Sequence, residues 1–269
     1  MYALCWASAL LIIGVLGLVV GYLTSIGAGS LSLKFFTEVP SGDVTDPGGM
    51  KHAIVGTLVL LGLASVVGVP LGMMTGVYLS EYASERWLAN PTRFVCDVLA
   101  GVPSIVVGIL GYELVVVPLG NYNGWAGAFA LSFIMVPIVA RTTEEMLRLV
   151  PDSYRSGSLA LGATKSQTIT RVVLPAATGS IVTGVMLALA RVAGETAPLL
   201  FTALGSRLLS VDPSQPFPSL TVQIFTYATG PYPEQKKLAW AGILVLISML
   251  FLVNLAVRFM TRRAISPAR

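Results

Sequence analysis

The sequence predicts an all-α membrane protein with six transmembrane helices. Of the 269 residues, 55% are hydrophobic and only 11% are charged, whereas soluble domains carry about 25% charged residues. The mean hydropathy is +0.80. The apolar residues also form uncharged runs of about 20 residues or more, the length that crosses a bilayer core as a helix. Together these observations exclude a disordered chain, a fibrous protein and an ordinary soluble enzyme.

The first two predicted spans lie on either side of a mixed loop. Residues 1–33 contain no charge, and their apolar part, residues 3–23, predicts the first helix. A secretory signal peptide is the alternative, but its apolar region is usually about 7–15 residues long and follows a basic residue, so a retained anchor is favoured. Residues 24–52 mix glycine, proline and charges and predict an outer loop that contains His52, while the uncharged run 53–80 predicts the second span.

Four further spans follow from the remaining uncharged runs. Residues 98–140 contain one charge, but as a single helix they would be about 64 Å long, roughly twice the thickness of a bilayer core. The turn-forming stretch PLGNYNG at 118–124 therefore separates a third span from a fourth. The fifth span is predicted at 176–200 and the sixth at 238–257.

The basic residues predict the orientation of the six spans. Eleven lie in residues 80–93, 141–175 and the C-terminal tail, which share one side, and five lie on the opposite side. Because cytoplasmic loops carry the excess of Lys and Arg, both termini are predicted to be cytoplasmic. The chain divides into an N-terminal anchor helix with its outer loop, residues 1–52, and a core of five helices, residues 53–269. The basic residues form no concentrated run, so nucleic acid is not an expected partner.

Three glycines predict a close helix contact in the second span. Gly68, Gly72 and Gly76 repeat every four residues on one helix face, and small residues at this spacing let membrane helices approach closely. They pack either against another helix of this chain or against a second subunit.

The segment 141–175 is the most informative part of the sequence outside the membrane. Asp152 follows a proline and suits the first turn of a helix, and Gly162 suits its end. Thr164 and Gln167 fit a capping box that starts a second helix at once. A short helix turned by one glycine is not needed for lipid solvation, so it predicts a docking surface. The alternative is an amphipathic helix at the membrane interface.

This segment resembles the cytoplasmic loop of permease subunits of ATP-binding-cassette importers. In that family Glu-Ala-Ala, three residues, Gly and nine further residues precede an Ile-x-Leu-Pro motif. Here Gly162 and nine residues precede Val172–Pro175, but Ser-Gly-Ser at 156–158 replaces Glu-Ala-Ala. The resemblance implies a coupling helix that sits in a cleft of the ATPase subunit, a helix-in-groove contact. The implied docking residues are Ser156, Gly157, Ser158, Leu159, Ala160, Leu161, Gly162, Ala163 and Thr164.

Longer strings resemble the permease family of the phosphate importer, in particular its second (A-type) subunit. These are ALARVAGETAPLLFTALG at 188–205, GTLVLLGLASVVGVPLGMMTGVYLSEYA at 56–83 and GVPSIVVGILG at 101–111. The resemblance implies a type I importer permease fold (MetI-like) in the cytoplasmic membrane of a prokaryote. It implies a subunit without catalysis of its own, whose partners are a homologous second permease, a dimer of ATPase subunits that bind ATP and Mg, an extracytoplasmic phosphate-binding protein and membrane lipid.

Two charges in the fifth span are the candidate substrate-pathway residues. Arg191 and Glu195 are four residues apart, so they share a helix face. A charge at the centre of a span costs about 2.5–3.5 kcal/mol, and therefore calls for a partner or a wet cavity. Arginine suits phosphate oxygens, Glu195 would moderate its charge, and Thr196 would loosen the helix. The alternative is a structural ion pair. Asp97 and Glu113 are further acids near membrane depth.

Other functions remain alternatives at this point. A permease for sulfate or molybdate would share the loop and the fold, and an autonomous carrier or channel would need no docking helix. The chain contains no GxxxxGK[ST] phosphate-binding motif. Its cysteines, Cys5 and Cys96, and its single histidine have no metal-binding or disulfide spacing, so neither a metal nor a cofactor is expected on this chain.

Overall fold

The computed structural model describes residues 2–43, 45–82 and 86–265. Within these ranges the protein is built from helices joined by short connections, with one longer loop between residues 203 and 219. The helices are α1 (Tyr2–Gly27), α2 (Leu33–Thr37), α3 (Lys51–Val77), α4 (Arg86–Gly101), α5 (Ser104–Gly111), α6 (Val117–Leu119), α7 (Gly124–Arg148), α8 (Asp152–Ala160), α9 (Lys165–Thr168), α10 (Leu174–Ala193), α11 (Ala197–Thr202), α12 (Leu220–Thr229) and α13 (Pro233–Ile265).

Three π-helical turns extend or join these helices. One, Tyr78–Tyr82, continues α3, and another, Tyr112–Val116, connects α5 to α6. The third, Ile169–Val173, connects α9 to α10, so that one continuous helical segment runs from Lys165 to Ala193.

The predicted number of spans is reached by counting one bent pair as a span. In the described ranges five helical segments are long and apolar enough to cross a membrane. The helices α4 and α5–α6 together form a sixth candidate, bent by 101°. The prediction of an all-α membrane protein is therefore confirmed.

The bend corrects the prediction of a straight third span starting near residue 98. Helix α4 ends at Gly101, and α5 starts at Ser104. Pro103 lies between them with φ −57° and ψ 133°. Proline lacks the N–H that would continue the helix, and it disfavours the helical conformation of the residue before it. The sequence pattern did not reveal this break, because the residues next to it on both sides are uncharged.

Several stretches predicted as loops contain helices. Helix α2 lies in the predicted outer loop 24–52, and α12 lies between the predicted fifth and sixth spans. Helix α4 begins within residues 80–93, between the predicted second and third spans. His52, predicted in a loop, is fully buried in the first turn of α3. Its Nε2 lies 3.4 Å from Oε1 of Gln223 on α12, a contact between residues far apart in the sequence.

The centre of the fold is the packing of α3 against α7. Ideal Cβ atoms at Gly68, Gly72 and Gly76 would lie 3.0, 2.6 and 2.6 Å from atoms of α7. The two helices thus approach so closely that no side chain fits at these positions. Of the two alternatives for the glycine pattern, the structure places the three residues against a helix of the same chain. Buried apolar side chains of α3, α7, α10 and α11 complete this core: Leu60, Ala64, Leu131, Met135, Val139, Ala188, Val192 and Leu199.

Helix α1 lies at the periphery, against α13. The ring of Tyr22 meets the ring of Trp240 edge-on at a centroid distance of 5.8 Å. Gly27 allows the same close approach, because a Cβ there would lie 2.9 Å from the carbonyl oxygen of Trp240. Most other α1 side chains are exposed, as expected for a helix surrounded by lipid.

Candidate functional site

Arg191 and Glu195 form an ion pair where α10 ends. Nη1 of Arg191 lies 3.2 Å from Oε1 of Glu195. The Arg191 side chain is 59% exposed and the Glu195 side chain 9% exposed. The carboxylate is therefore held inside the protein, while the guanidinium reaches out from it. Among the described residues, Glu195 is the one acid that pairs with Arg191.

The helix breaks at this pair, which corrects the prediction of a fifth span extending to residue 200. Helix α10 ends at Ala193, and Gly194 follows it. Helix α11 starts at Ala197, with Pro198 in its first turn. Proline suits a first helical turn because its missing N–H is unpaired there anyway. Thr196, predicted to loosen the helix, is thus the residue that precedes α11.

The break is stabilised from α12. Oγ1 of Thr221 donates a hydrogen bond of 2.9 Å to the backbone carbonyl of Glu195. This bond satisfies a carbonyl of the segment between α10 and α11. Arg191 lies in the last turn of α10, where the helix dipole favours a cation. The pair is therefore fixed by the backbone and by electrostatics as well as by its own contact.

The cavity beside the break is too small for an oxyanion. It has a volume of about 10 Å³ and is lined in part by Thr57, Ser219 and Thr221, which is room for one water molecule at most. The exposed guanidinium of Arg191 is the charged group beside this break that an anion could contact.

The other two acids considered near membrane depth lie apart from this pair. Asp97 on α4 pairs with Arg141 on α7 at 3.0 Å, and both side chains are about half exposed. Glu113 is exposed in the π-helical turn between α5 and α6. Within the described ranges, no group of three or more His, Cys, Asp or Glu side chains is placed to hold a metal ion.

The predicted short helix outside the membrane is present as α8. It begins at Asp152 and ends before Gly162, whose φ of +86° lies in the left-handed region that favours glycine. Thr164 then caps α9: its Oγ1 accepts from the Gln167 backbone N–H at 3.3 Å, and the Gln167 side chain accepts from the Thr164 N–H at 2.9 Å. Both bonds of the predicted capping box are formed.

Most of α8 and its turn is exposed. Leu159 is 50% exposed and Leu161 is 91% exposed. Exposed apolar side chains that lie close together often mark a surface for binding another protein. Ser158 is half-buried because its hydroxyl lies 2.9 Å from the hydroxyl of Thr168 on α9. The exposed members of the predicted docking set are Ser156, Gly157, Leu159, Ala160, Leu161, Gly162 and Thr164, and Ser158 and Ala163 are half-buried.

Sequence reasoning missed Arg155, the residue that anchors α8. Its guanidinium pairs with Glu81 in the turn after α3, with Nη2–Oε1 at 2.7 Å and Nε–Oε2 at 3.2 Å. It also donates to the backbone carbonyls of Leu147 at 2.9 Å and Val150 at 2.6 Å. The hydrogen bonds to Glu81 raise the pKa of Arg155 although its partial burial opposes this, so the guanidinium stays charged.

A second missed cluster surrounds Glu144. This carboxylate is 3% exposed and accepts from Arg93 at 2.7 Å and from Arg148 at 2.6 Å, both at Oε1. The spacing of Glu144 and Arg148 on α7 is visible in the sequence. The contacts with Arg93 and between Arg155 and Glu81 join residues 51 and 74 positions apart, and no local pattern reveals them.

Comparison with known proteins gives the family of the chain. The family described as "binding-protein-dependent transport system inner membrane component" matches residues 68–266. The phosphate transport system permease protein PstA of Yersinia pestis is 47% identical over 232 residues, which cover 86% of this chain and 79% of that protein. The protein of the same name from Haemophilus influenzae is 40% identical, over 86% of this chain and 82% of its own length.

Solved structures with little sequence similarity share the fold. A chain of a bacterial alginate ABC transporter covers all of this chain and 96% of its own length, with a TM-score of 0.71 and 13% identity. A chain of the inward-facing methionine ABC transporter MetNI has a TM-score of 0.62 and 19% identity, over 80% of this chain and 93% of its own. With the family match and the identity to curated relatives, these findings lead to one conclusion: this chain belongs to the binding-protein-dependent transport system inner membrane components, the permease subunits of ABC importers.

Proposed function

We propose that this protein is the transmembrane permease subunit of an ATP-driven importer of inorganic phosphate. The observation that carries the proposal is the ion pair of Arg191 and Glu195 at the broken end of α10, in a chain whose relatives are phosphate permeases. An exposed guanidinium offers several donors that fit phosphate oxygens. The buried carboxylate beside it weakens the attraction enough for an anion to leave again.

In this proposal Arg191, Glu195 and Thr196 belong to the substrate pathway. The broken helix supports this role, because transporters place unwound segments where they line a cavity. Since the cavity beside the helix break holds at most one water, the pathway is completed by a homologous second permease subunit. An extracytoplasmic phosphate-binding protein delivers the substrate, and lipid surrounds the remaining apolar faces.

The chain itself carries no catalysis in this proposal. Residues 156–164 of α8 and its turn dock into a dimer of ATPase subunits, which bind ATP and Mg and hydrolyse the nucleotide. The exposed Leu159 and Leu161 support this assignment, since apolar side chains on a small rigid helix suit a groove. Residues 1–52 act as an anchor, and residues 53–269 form the permease core.

The orientation follows the distribution of basic residues. Helix α8 and both termini face the cytoplasm, because eleven of the basic residues lie on that side. The loop before α12 faces outward, toward the binding protein.

Uptake of labelled phosphate tests the proposed substrate. Cells that lack this chain are complemented with the wild-type gene, and uptake from a low phosphate concentration is measured with and without excess sulfate or molybdate. The proposal expects uptake to return and to resist both competitors. Competition by sulfate or molybdate would instead assign another oxyanion. Uptake into vesicles that hold this chain alone, without ATPase subunits, would assign an autonomous carrier.

A further inference from the structure

Arg155 joins three structural elements on the side of the molecule where α8 lies. It belongs to α8, its guanidinium pairs with Glu81 in the turn that continues α3, and it also donates to Leu147 and Val150 at the end of α7. A further contact, 3.3 Å to Asp152, lies within α8 itself. One side chain thus connects the docking helix to both helices at the centre of the fold.

The burial of this pair contrasts with its surroundings. The side chains of Arg155 and Glu81 are 20% and 6% exposed, whereas the other side chains of α8 are mostly exposed. Burying two charges is costly unless the geometry is good and additional hydrogen bonds satisfy the remaining donors. Here both conditions are met, because the arginine fork is bidentate on the carboxylate and two carbonyls take further N–H groups.

A second link joins α8 to α10. The hydroxyl of Ser158 contacts that of Thr168 at 2.9 Å, and the π-helical turn carries the chain from α9 directly into α10. The inner part of α10 is therefore coupled to α8 along the chain. Helix α7 is joined to α8 by the short connection at residues 149–151, whereas α3 is not adjacent to α8 along the chain.

We infer that Arg155 is a positioning residue that transmits movement of the docking helix to α3 and α7. The inference rests on the proposed function, because it assumes that ATPase subunits move α8. A rigid displacement of α8 would carry Glu81 and the end of α7 with it, whereas without the contacts of Arg155 α8 could turn about the connection at residues 149–151. The tight glycine contacts between α3 and α7 would then move these two helices as a unit.

The test compares transport with ATP hydrolysis in the same vesicles. The complete complex with both permeases and the ATPases is reconstituted into proteoliposomes with the phosphate-binding protein, and phosphate uptake per ATP hydrolysed is measured. The variants are Arg155→Gln, Arg155→Lys and Glu81→Gln. Arg171→Gln is the matched control, because Arg171 is an exposed arginine in the neighbouring π-helical turn.

Loss of coupling is the expected result. For Arg155→Gln, uptake per ATP falls about tenfold, within the range of coupling between distant sites, while the ATPases remain bound. Arg155→Lys and Glu81→Gln give intermediate values, because each keeps part of the contact. Arg171→Gln keeps the wild-type ratio. If Arg155→Gln does not assemble, the two milder variants decide the question in the same way.

Two results would overturn the inference. An unchanged ratio of uptake to ATP hydrolysis in the Arg155 and Glu81 variants would show that the contact between Arg155 and Glu81 transmits no movement. A parallel fall of uptake and hydrolysis would show that the pair only supports folding or docking. Failure of the proposed function is a separate result, since the wild-type complex itself would then import no phosphate.

Discussion

Arg93 on α4 donates a hydrogen bond of 2.7 Å to the buried carboxylate of Glu144 on α7. The same arginine donates to the backbone carbonyl of Leu79 at 3.0 Å. It therefore holds α4, the helix before the 101° bend, against the two central helices. Asp97 and Arg141 add a second, more exposed pair between α4 and α7. Charged side chains thus fix the position of a helix that begins outside the predicted apolar spans.

Loss of the Glu144 carboxylate should destabilise this arrangement. In Glu144→Gln the Arg93 and Arg148 guanidinium groups lose their shared anion. Because these two groups are 27% and 56% exposed, the cost should be below the about 3–5 kcal/mol of breaking a fully buried pair. We expect a clearly lower midpoint of thermal unfolding in detergent. Glu145→Gln is the matched control, because Glu145 is the next residue, is exposed and undergoes the same chemical change. Equal midpoints for the two variants would contradict a stabilising role of the cluster.

The glycine contact between α3 and α7 gives a second prediction. A Cβ at Gly76 would lie 2.6 Å from the Ala140 carbonyl oxygen and from Thr143 Cβ, so Gly76→Ala should destabilise the fold by about 1–3 kcal/mol through overpacking. Gly62 lies on the same helix with no atom within 4 Å of an added Cβ. Gly62→Ala should therefore be neutral or slightly stabilising. Thermal unfolding of both variants checks the prediction, and a Gly76→Ala protein as stable as wild type would refute the packing.

Local patterns in the sequence predicted what local forces determine. Gly162 and the capping box of Thr164 and Gln167 act within a few residues, and the pair of Arg191 and Glu195 needs only one helical turn. For these features the prediction and the geometry agree, although the functional roles stay predictions. The six-span architecture also followed, because apolar length is set by the bilayer.

Features that depend on contacts distant in the sequence were not predictable. His52 is buried because Gln223, 171 positions away, meets its ring, and Arg155 is buried because Glu81 lies beside it. The break after Ala193 is stabilised from α12 through Thr221. The prediction from hydrophobicity extended this helix too far, because the residues beyond the break are also apolar.

Gly157 in α8 and Gly162 in the turn after it differ in backbone conformation. Within this chain a Cβ at Gly157 would meet no atom within 4 Å, so Gly157→Ala should stabilise α8 by about 0.5–1 kcal/mol. Gly162 has φ +86°, and Gly162→Ala should cost about 1–2 kcal/mol of conformational strain. We expect Gly162→Ala to weaken retention of the ATPase subunits during purification of the complex. Wild-type retention of the ATPase subunits by Gly162→Ala would contradict the importance of the turn geometry for docking.

The most direct test of the substrate pathway is phosphate uptake by an Arg191→Gln complex in proteoliposomes. The matched control is Arg207→Gln, an exposed arginine in the loop that follows α11. With normal assembly, uptake should fall about ten- to a hundredfold, the rate equivalent of losing one charged hydrogen bond. Arg191→Lys should fall less, and Arg207→Gln should match wild type. Wild-type uptake by an assembled Arg191→Gln complex would contradict a role of this arginine in moving phosphate and would leave its ion pair with Glu195 a structural feature of the helix break.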